Sequence, residues 1–247
     1  MFRILFRWRG FKVCSYPAML YLGLVLGVIS GTYAAQFRNL NSVHVYFAMI
    51  LLIAPALFGA RLLFAATHWE LFSENPRRIF RRSEGGAMLY GGLLLSLAVS
   101  VPLLQILNLS FAGFWDVATI TILVAMIPAR IGCLMHGCCS GRATAGRFSI
   151  VAPNESGIWE RRVPTQIMEM ALAVALLLVS LAVQSKLRNE GVLFLTAATG
   201  YGIGRWWLES VRETTVRVGD LNLQRIISCT LAGSSAIGLL FTLLKNF

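Results

Sequence analysis

The stretch VHVYFAMILLIAPALFGARLLFAAT, Val43 to Thr67, decides how the rest of the chain is read. It exceeds the ~20 apolar residues that cross a hydrocarbon core as a helix. Its one formal charge is Arg61. A guanidinium at the bilayer centre costs about 3 kcal/mol or more, so an intramembrane arginine marks a functional site by default. Arg130 and Arg205 repeat the pattern, each within or against a membrane-length apolar run. Several arginines at one depth suggest a pocket for an anion, and a membrane enzyme most often meets that anion as a lipid phosphate.

Composition agrees. The 247 residues are 57% hydrophobic and only 13% charged, against about 25% charged in soluble domains. Mean hydropathy is +0.69. A single integral membrane domain over residues 1–247 is expected, in preference to a soluble protein with several buried helices. Met1 to Ser15 does not read as a cleavable signal: Arg3, Arg7, Arg9 and Lys12 are spread among aromatics, and no A-x-A site follows. The net charge of +11 lies mostly in short loops. Basic loops flanking spans suit anionic headgroups better than nucleic acid, which is not expected as a partner. The five cysteines form no disulfide framework; Cys14 and Cys229 read as small hydrophobes.

Seven spans are expected, at about Tyr16–Ala35, Val43–Thr67, Gly86–Leu107, Phe114–Pro128, Pro164–Val183, Gly191–Leu208 and Ile226–Leu244. The fourth is short and could continue through Arg130. Gly141 to Val163 is long enough to hold structure, with alternation at Arg147–Val151 that suits a small hairpin. Gly23, Gly27 and Gly31 line one face of the first span, a spacing that lets helices approach closely in lipid. Gly85-Gly86 and Gly91-Gly92 bracket the third span's start and allow close approach of a neighbouring helix or of a ligand.

Alternating spans place most polar residues at one end, side A, which holds the N-terminus. Tyr16, Arg61, Tyr90, Arg130, Gln166, Glu169, Arg205, Glu209 and Gln224 all fall within a few turns of it. The opposite ends carry little beyond Arg38, Lys186, Arg188 and Lys245. Arg205 and Glu209, at i and i+4, could also simply pair. Arg212 and Arg225 read as interfacial arginines or helix-end ion pairs.

The densest candidate is Ala129–Arg142, ARIGCLMHGCCSGR. Its glycines expose backbone N–H groups that can cradle phosphate. Cys133, His136, Cys138 and Cys139 could bind a metal, supply a reactive thiol, or pack as small residues. The spacing C-x2-H-x-C-C is not a zinc pattern, lacking a second C-x2-C pair. Reduced thiols without metal are expected, and no cofactor.

Four ordered segments resemble the prolipoprotein diacylglyceryl transferase family. They are Arg130-Ile-Gly-x-x-x-x-Gly-x-x-x-Gly-Arg142, Gly85-Gly-Ala-Met-Leu-Tyr-Gly-Gly92, Val163-Pro-Thr-Gln-Ile-Met-Glu169, and Tyr201-Gly-Ile-Gly-Arg-Trp-Trp-Leu-Glu-Ser-Val-Arg212. The resemblance implies an all-α bundle of seven transmembrane helices with a lipid cavity, and a small extramembrane head between helices 4 and 5. It implies transfer of diacylglyceryl from phosphatidylglycerol to a lipoprotein-precursor thiol, giving a thioether and glycerol phosphate, in a bacterial plasma (inner) membrane protein. Arg130 and Arg205 match the family's phosphate-holding arginines, Gly141 a signature glycine and Tyr16 the tyrosine opening the first span. Arg130, Arg205 and Tyr90 are therefore the expected catalytic residues. Tyr16, Arg61, Gly91, Gly92, Cys133, His136, Gly141, Gln166, Glu169 and Glu209 are the expected substrate-binding residues.

This chain departs from the family at several points. Tyr90 stands where the family has histidine; a phenol is a poor base but can donate a hydrogen bond. Cys133 and His136 replace asparagines, and Cys138 a glutamate. A non-catalytic lipid-binding or lipid-translocating protein is the other reading. Orientation is contested too. The arginines of side A favour a cytoplasmic location by the positive-inside rule, whereas the family places its N-terminus outside; the family orientation is preferred.

Overall fold

The computed structural model describes residues 4–8, 11–81, 86–153, 157–185, 189–213, 217–218 and 221–244. Arg3, Arg9, Arg82, Gly85, Lys186, Arg188 and Lys245 lie outside them. Among the described residues there are seven α-helices: α1 (Ser15–Ala34), α2 (Ser42–Thr67), α3 (Leu89–Ile106), α4 (Phe111–His136), α5 (Thr165–Val183), α6 (Val192–Leu208) and α7 (Leu223–Leu244). All but α6 are long and apolar enough to cross a membrane. The 17 residues of α6 rise about 26 Å, short of the ~30 Å hydrocarbon core. A 3-10 turn, Glu209–Val211, continues it. The protein is a multi-pass membrane protein, all-α within its spans, because backbone polar groups in lipid must be satisfied inside each segment.

Local chemistry sets the helix ends. The Asn41 side chain accepts from the backbone N–H of Val43 and His44 at 3.0 and 3.2 Å and starts α2. Ser110 does the same for α4 through Gly113 at 3.3 Å. The fourth helix takes the longer of the two expected courses: it passes through Pro128 and Arg130 and stops at Gly137, left-handed at φ 81. Proline is tolerated inside a membrane helix because neighbouring groups satisfy the freed carbonyl. Helix α3 begins three residues later than expected, since Gly86 is left-handed at φ 79.

Among the described residues three short antiparallel hairpins lie outside the helices. β1 (Ile4–Trp8) pairs with β2 (Phe11–Cys14), β3 (Ile150–Pro153) with β4 (Trp159–Arg162), and β5 (Arg217–Val218) with β6 (Leu221–Asn222). The hairpin expected at Arg147–Val151 is therefore displaced: Arg147 lies in a bend before β3, and the register pairs Ile150 with Arg162.

Helix α1 lies antiparallel on α4, and α2 on α3. A Cβ at Gly23 would sit 2.5 Å from the Ala125 carbonyl oxygen, and one at Gly27 2.6 Å from that of Thr121. The glycine face of α1 is thus filled by α4 backbone. Gly27→Leu should separate the two helices and lower the melting temperature of detergent-solubilised protein, because overpacking costs about 1–3 kcal/mol or more. Gly233→Leu is the control, since nothing lies within 4 Å of that position; equal melting temperatures for the two variants would count against close packing.

At the end opposite side A, Asp116 is fully buried. It accepts from the backbone N–H of Gly191 and Phe194, both at 2.9 Å, and pairs with Arg38 at 3.1 Å. That end is therefore less bare than the sequence suggests: the lone acid of an apolar run caps α6.

Candidate active site

Arg130 and Arg205, from α4 and α6, meet on one carboxylate. Glu169, a turn into α5 and 1% exposed, takes Arg130 Nη2 on Oε2 at 2.5 Å and Arg205 Nη1 on Oε1 at 2.9 Å. A third guanidinium joins them: Arg212 Nη2 donates to Oε1 at 2.9 Å. Arg205 Nη2 also donates to Gln224 Oε1 at 2.5 Å and lies 3.4 Å from Glu209 Oε2. Three guanidiniums thus face two carboxylates, which leaves one positive charge in a region screened from water.

Helical spacing explains the convergence. Arg130 and Cys133 share a face of α4, as do Gln166 and Glu169 on α5, and Tyr201 and Arg205 on α6, with Glu209 following at the first residue of the 3-10 turn. In α7, Gln224 and Ser228 are one turn apart, and Ser228 Oγ donates to the Gln224 carbonyl at 2.7 Å. Tyr90 reaches this group from α3. Its hydroxyl lies 2.7 Å from Ser228 Oγ, and the residue is 7% exposed, so it faces the bundle and not lipid.

The segment after α4 wraps the base of the site. Gly137 turns the chain left-handed, and Cys139 does so again at φ 64. Thr165 Oγ1 donates to the Cys139 carbonyl at 2.6 Å; Gln166 Nε2 donates to the Cys138 carbonyl at 2.6 Å and to Ser140 Oγ at 3.1 Å. Gln166 thus anchors the loop with its amide N–H, while its Oε1 is buried without a partner among the described residues. The sulfurs of Cys133, Cys138 and Cys139 lie within 4.8 Å of one another. Hydrogen bonds from Cys133 and Cys138, then the charges of Arg212 and Arg130, hold the Cys139 thiol well below its usual value. Cys138 is held above it by its bonds with Cys133 and Cys139.

Gly141 is a packing position. It pairs in a β-bridge with Arg212, and a Cβ there would sit 2.6 Å from the Val211 carbonyl oxygen. Arg162, fully buried in β4, donates from Nε to the Gly141 carbonyl at 2.9 Å and pairs with Glu160 and Glu213. Tyr16 and His136 stand at the rim, their ring centroids 6.4 Å apart, and His136 Nδ1 is buried without a hydrogen-bond partner among the described residues.

Three expected site residues lie elsewhere. Arg61 donates from Nε to the Ile79 carbonyl at 2.5 Å and from Nη1 to that of Gly86 at 2.9 Å, over the rings of Phe64 and Phe72. It organises the α2–α3 connection and does not touch Glu169. A Cβ at Gly92 would meet the Ala56 carbonyl oxygen at 2.7 Å, and Gly91 abuts Gly59. These glycines admit α2 backbone, which is the helix-packing alternative of the sequence reading. Depth along the chain placed all three near side A, but depth does not decide which way a helix face points.

Sequence reasoning also passed over four residues. Arg212 read as a helix-end or interfacial arginine, because the 3-10 turn Glu209–Val211 breaks the periodicity that would aim it inward. Gln224 was placed by depth alone, Tyr201 only as the opening of a segment that resembles the family, and Ser228 by nothing. Spacing of i, i+4 to Arg205 and to Gln224 was the available signal.

The family model of prolipoprotein diacylglyceryl transferase matches residues 3–241. Phosphatidylglycerol--prolipoprotein diacylglyceryl transferase 2 of Clostridium perfringens (strain 13 / Type A) is 29% identical over 230 residues, covering 89% of this chain and 87% of that protein. The similarly named proteins of Clostridioides difficile (strain 630) and Bacillus velezensis are each 25% identical, over 92% and 99% of this chain and 90% and 93% of theirs. The match runs through every helix that contributes to the arginine cluster. The chain therefore belongs to the prolipoprotein diacylglyceryl transferase family.

Proposed function

We propose that this protein transfers a diacylglyceryl group from phosphatidylglycerol, or a similar anionic phospholipid, to the cysteine thiol of a lipoprotein precursor. The convergence of Arg130, Arg205 and Arg212 on buried Glu169 carries the reading. A phosphodiester headgroup bears one negative charge, which matches the cluster's surplus. In the reaction the acceptor thiol gives its proton to water, its sulfur attacks the diacylglyceryl carbon bonded to the phosphate oxygen, and that C–O bond breaks with its electron pair left on the phosphate. Glycerol phosphate leaves as the thioether forms. The phosphate gains charge in that step, and guanidinium donors already in place stabilise the transition state more than the ground state. Tyr90 acts as a hydrogen-bond donor beside Arg205. Gln166 and Gly141 set the loop, Glu209 steadies Arg205, and Tyr16, Cys133 and His136 border the approach of substrate.

The bond of Tyr90 to Ser228 favours a second reading, in which the site binds lipid without turning it over. Purified protein with labelled phosphatidylglycerol and a cysteine-containing lipoprotein-precursor peptide separates the two. Mass spectrometry should find the peptide heavier by one diacylglyceryl group, with glycerol phosphate released. Bound but unchanged lipid beside unmodified peptide would favour the second reading.

The same proposal has all seven helices crossing a bacterial inner membrane, side A outside, with residues 137–164 as a small head. Ser73 sits on side A in the exposed α2–α3 connection. Ser73→Cys should react with an impermeant maleimide in intact cells. Labelling only after permeabilisation would reverse the orientation and remove access to an exported acceptor.

A further inference from the structure

We infer that Cys133, Cys138 and Cys139 bind a zinc ion through three thiolates and leave its fourth position to the acceptor thiol. The inference rests on the transferase reading above and deepens it. Zn–S bonds of about 2.3 Å put sulfurs about 3.8 Å apart in a tetrahedral site. The three here already lie within 4.8 Å, so side-chain rotation closes the gap. The spacing along the chain is unlike a zinc pattern because the grouping is made by fold. Gly137 reverses the chain at the end of α4, and Cys139 takes a left-handed conformation that a side chain rarely adopts. The side chains of Thr165 and Gln166 pin the carbonyls of Cys139 and Cys138. His136 does not join the group of donors, which leaves an open position, as in catalytic zinc sites.

The site also supplies what the arginine cluster lacks. Among the described residues, Glu169 and Glu209 are both paired with arginine, and the Tyr90 hydroxyl is bonded to Ser228. A carboxylate held in an ion pair and a hydrogen-bonded phenol are both poor bases for a thiol. A thiol that coordinates zinc ionises outright, so no base is needed; its proton passes to water at the exposed Cys139 edge. The zinc-bound sulfur then attacks the glyceryl carbon, the C–O electron pair goes to the phosphate, and the neutral thioether leaves the metal.

Full-length protein in detergent is the test. Elemental analysis should find one zinc per chain, falling below a tenth of that in Cys133→Ser and persisting in Cys138→His, which replaces one ligand by another. The cobalt-substituted protein should show sulfur-to-cobalt charge-transfer absorption and tetrahedral d–d bands. Those bands should shift with a cysteine acceptor peptide and not with its serine analogue. Wild type stripped by a chelator should lose transfer and regain it with zinc. Absence of stoichiometric zinc, or full-rate transfer by metal-free protein, overturns the site and leaves the transferase reading standing. Bound metal that responds to the peptide without any transfer supports the site and removes that reading.

Discussion

Arg205→Lys is expected to be as inactive as Arg205→Ala, each losing about a hundred- to a thousandfold in transfer, the scale of removing a transition-state donor. Arg205 makes divergent contacts from one plane: Nη1 to Glu169, and Nη2 to Gln224 and Glu209. An ammonium is a single point on a flexible stem and cannot hold that set while turning toward a phosphate. The demand is greatest as the C–O bond breaks and the phosphate moves from one negative charge toward two. Arg130 should behave alike, since its Nη2 shares the same carboxylate. Product formation by variants with wild-type elution from a sizing column is the measurement. If Arg205→Lys keeps a tenth of wild-type transfer, planarity is not what the site uses.

Glu169→Gln should cost stability as well as activity. The carboxylate sits beneath three guanidiniums, and its removal leaves buried cations unpaired at a cost of about 3–5 kcal/mol. The melting temperature in detergent should fall. Added phosphatidylglycerol should then raise it more in the variant than in wild type, because an anionic headgroup supplies the missing charge. Neutral lipid should give no such difference. Equal stabilisation of both proteins by phosphatidylglycerol would mean that the headgroup does not reach the arginines.

Much of the architecture was legible in the chain. Val43–Thr67 and its counterparts mark helices because lipid leaves no other way to satisfy a backbone, so hydropathy and length suffice. The depths of Arg130, Glu169 and Arg205 follow from counting spans and from a rise of 1.5 Å per residue. Gly23, Gly27 and Gly31 announce a close helix contact by spacing, though not that α4 is the partner. The N-terminal hairpin was missed because Arg7 and Lys12 interrupt any clean alternation.

Length, hydropathy and turn counting by themselves determined that this is a helical membrane protein with its ionisable groups gathered at one end, since each depends on one helix at a time. Rotation of one helix against another was decided only by tertiary packing. It sends Arg61 to the carbonyls of Ile79 and Gly86 while Arg130 and Arg205 reach Glu169. It closes Gly91 and Gly92 against α2. It carries Arg212 inward past a 3-10 turn and folds Cys138 and Cys139 back onto Cys133. These contacts join residues far apart in sequence or across a left-handed turn, where helical periodicity no longer predicts direction.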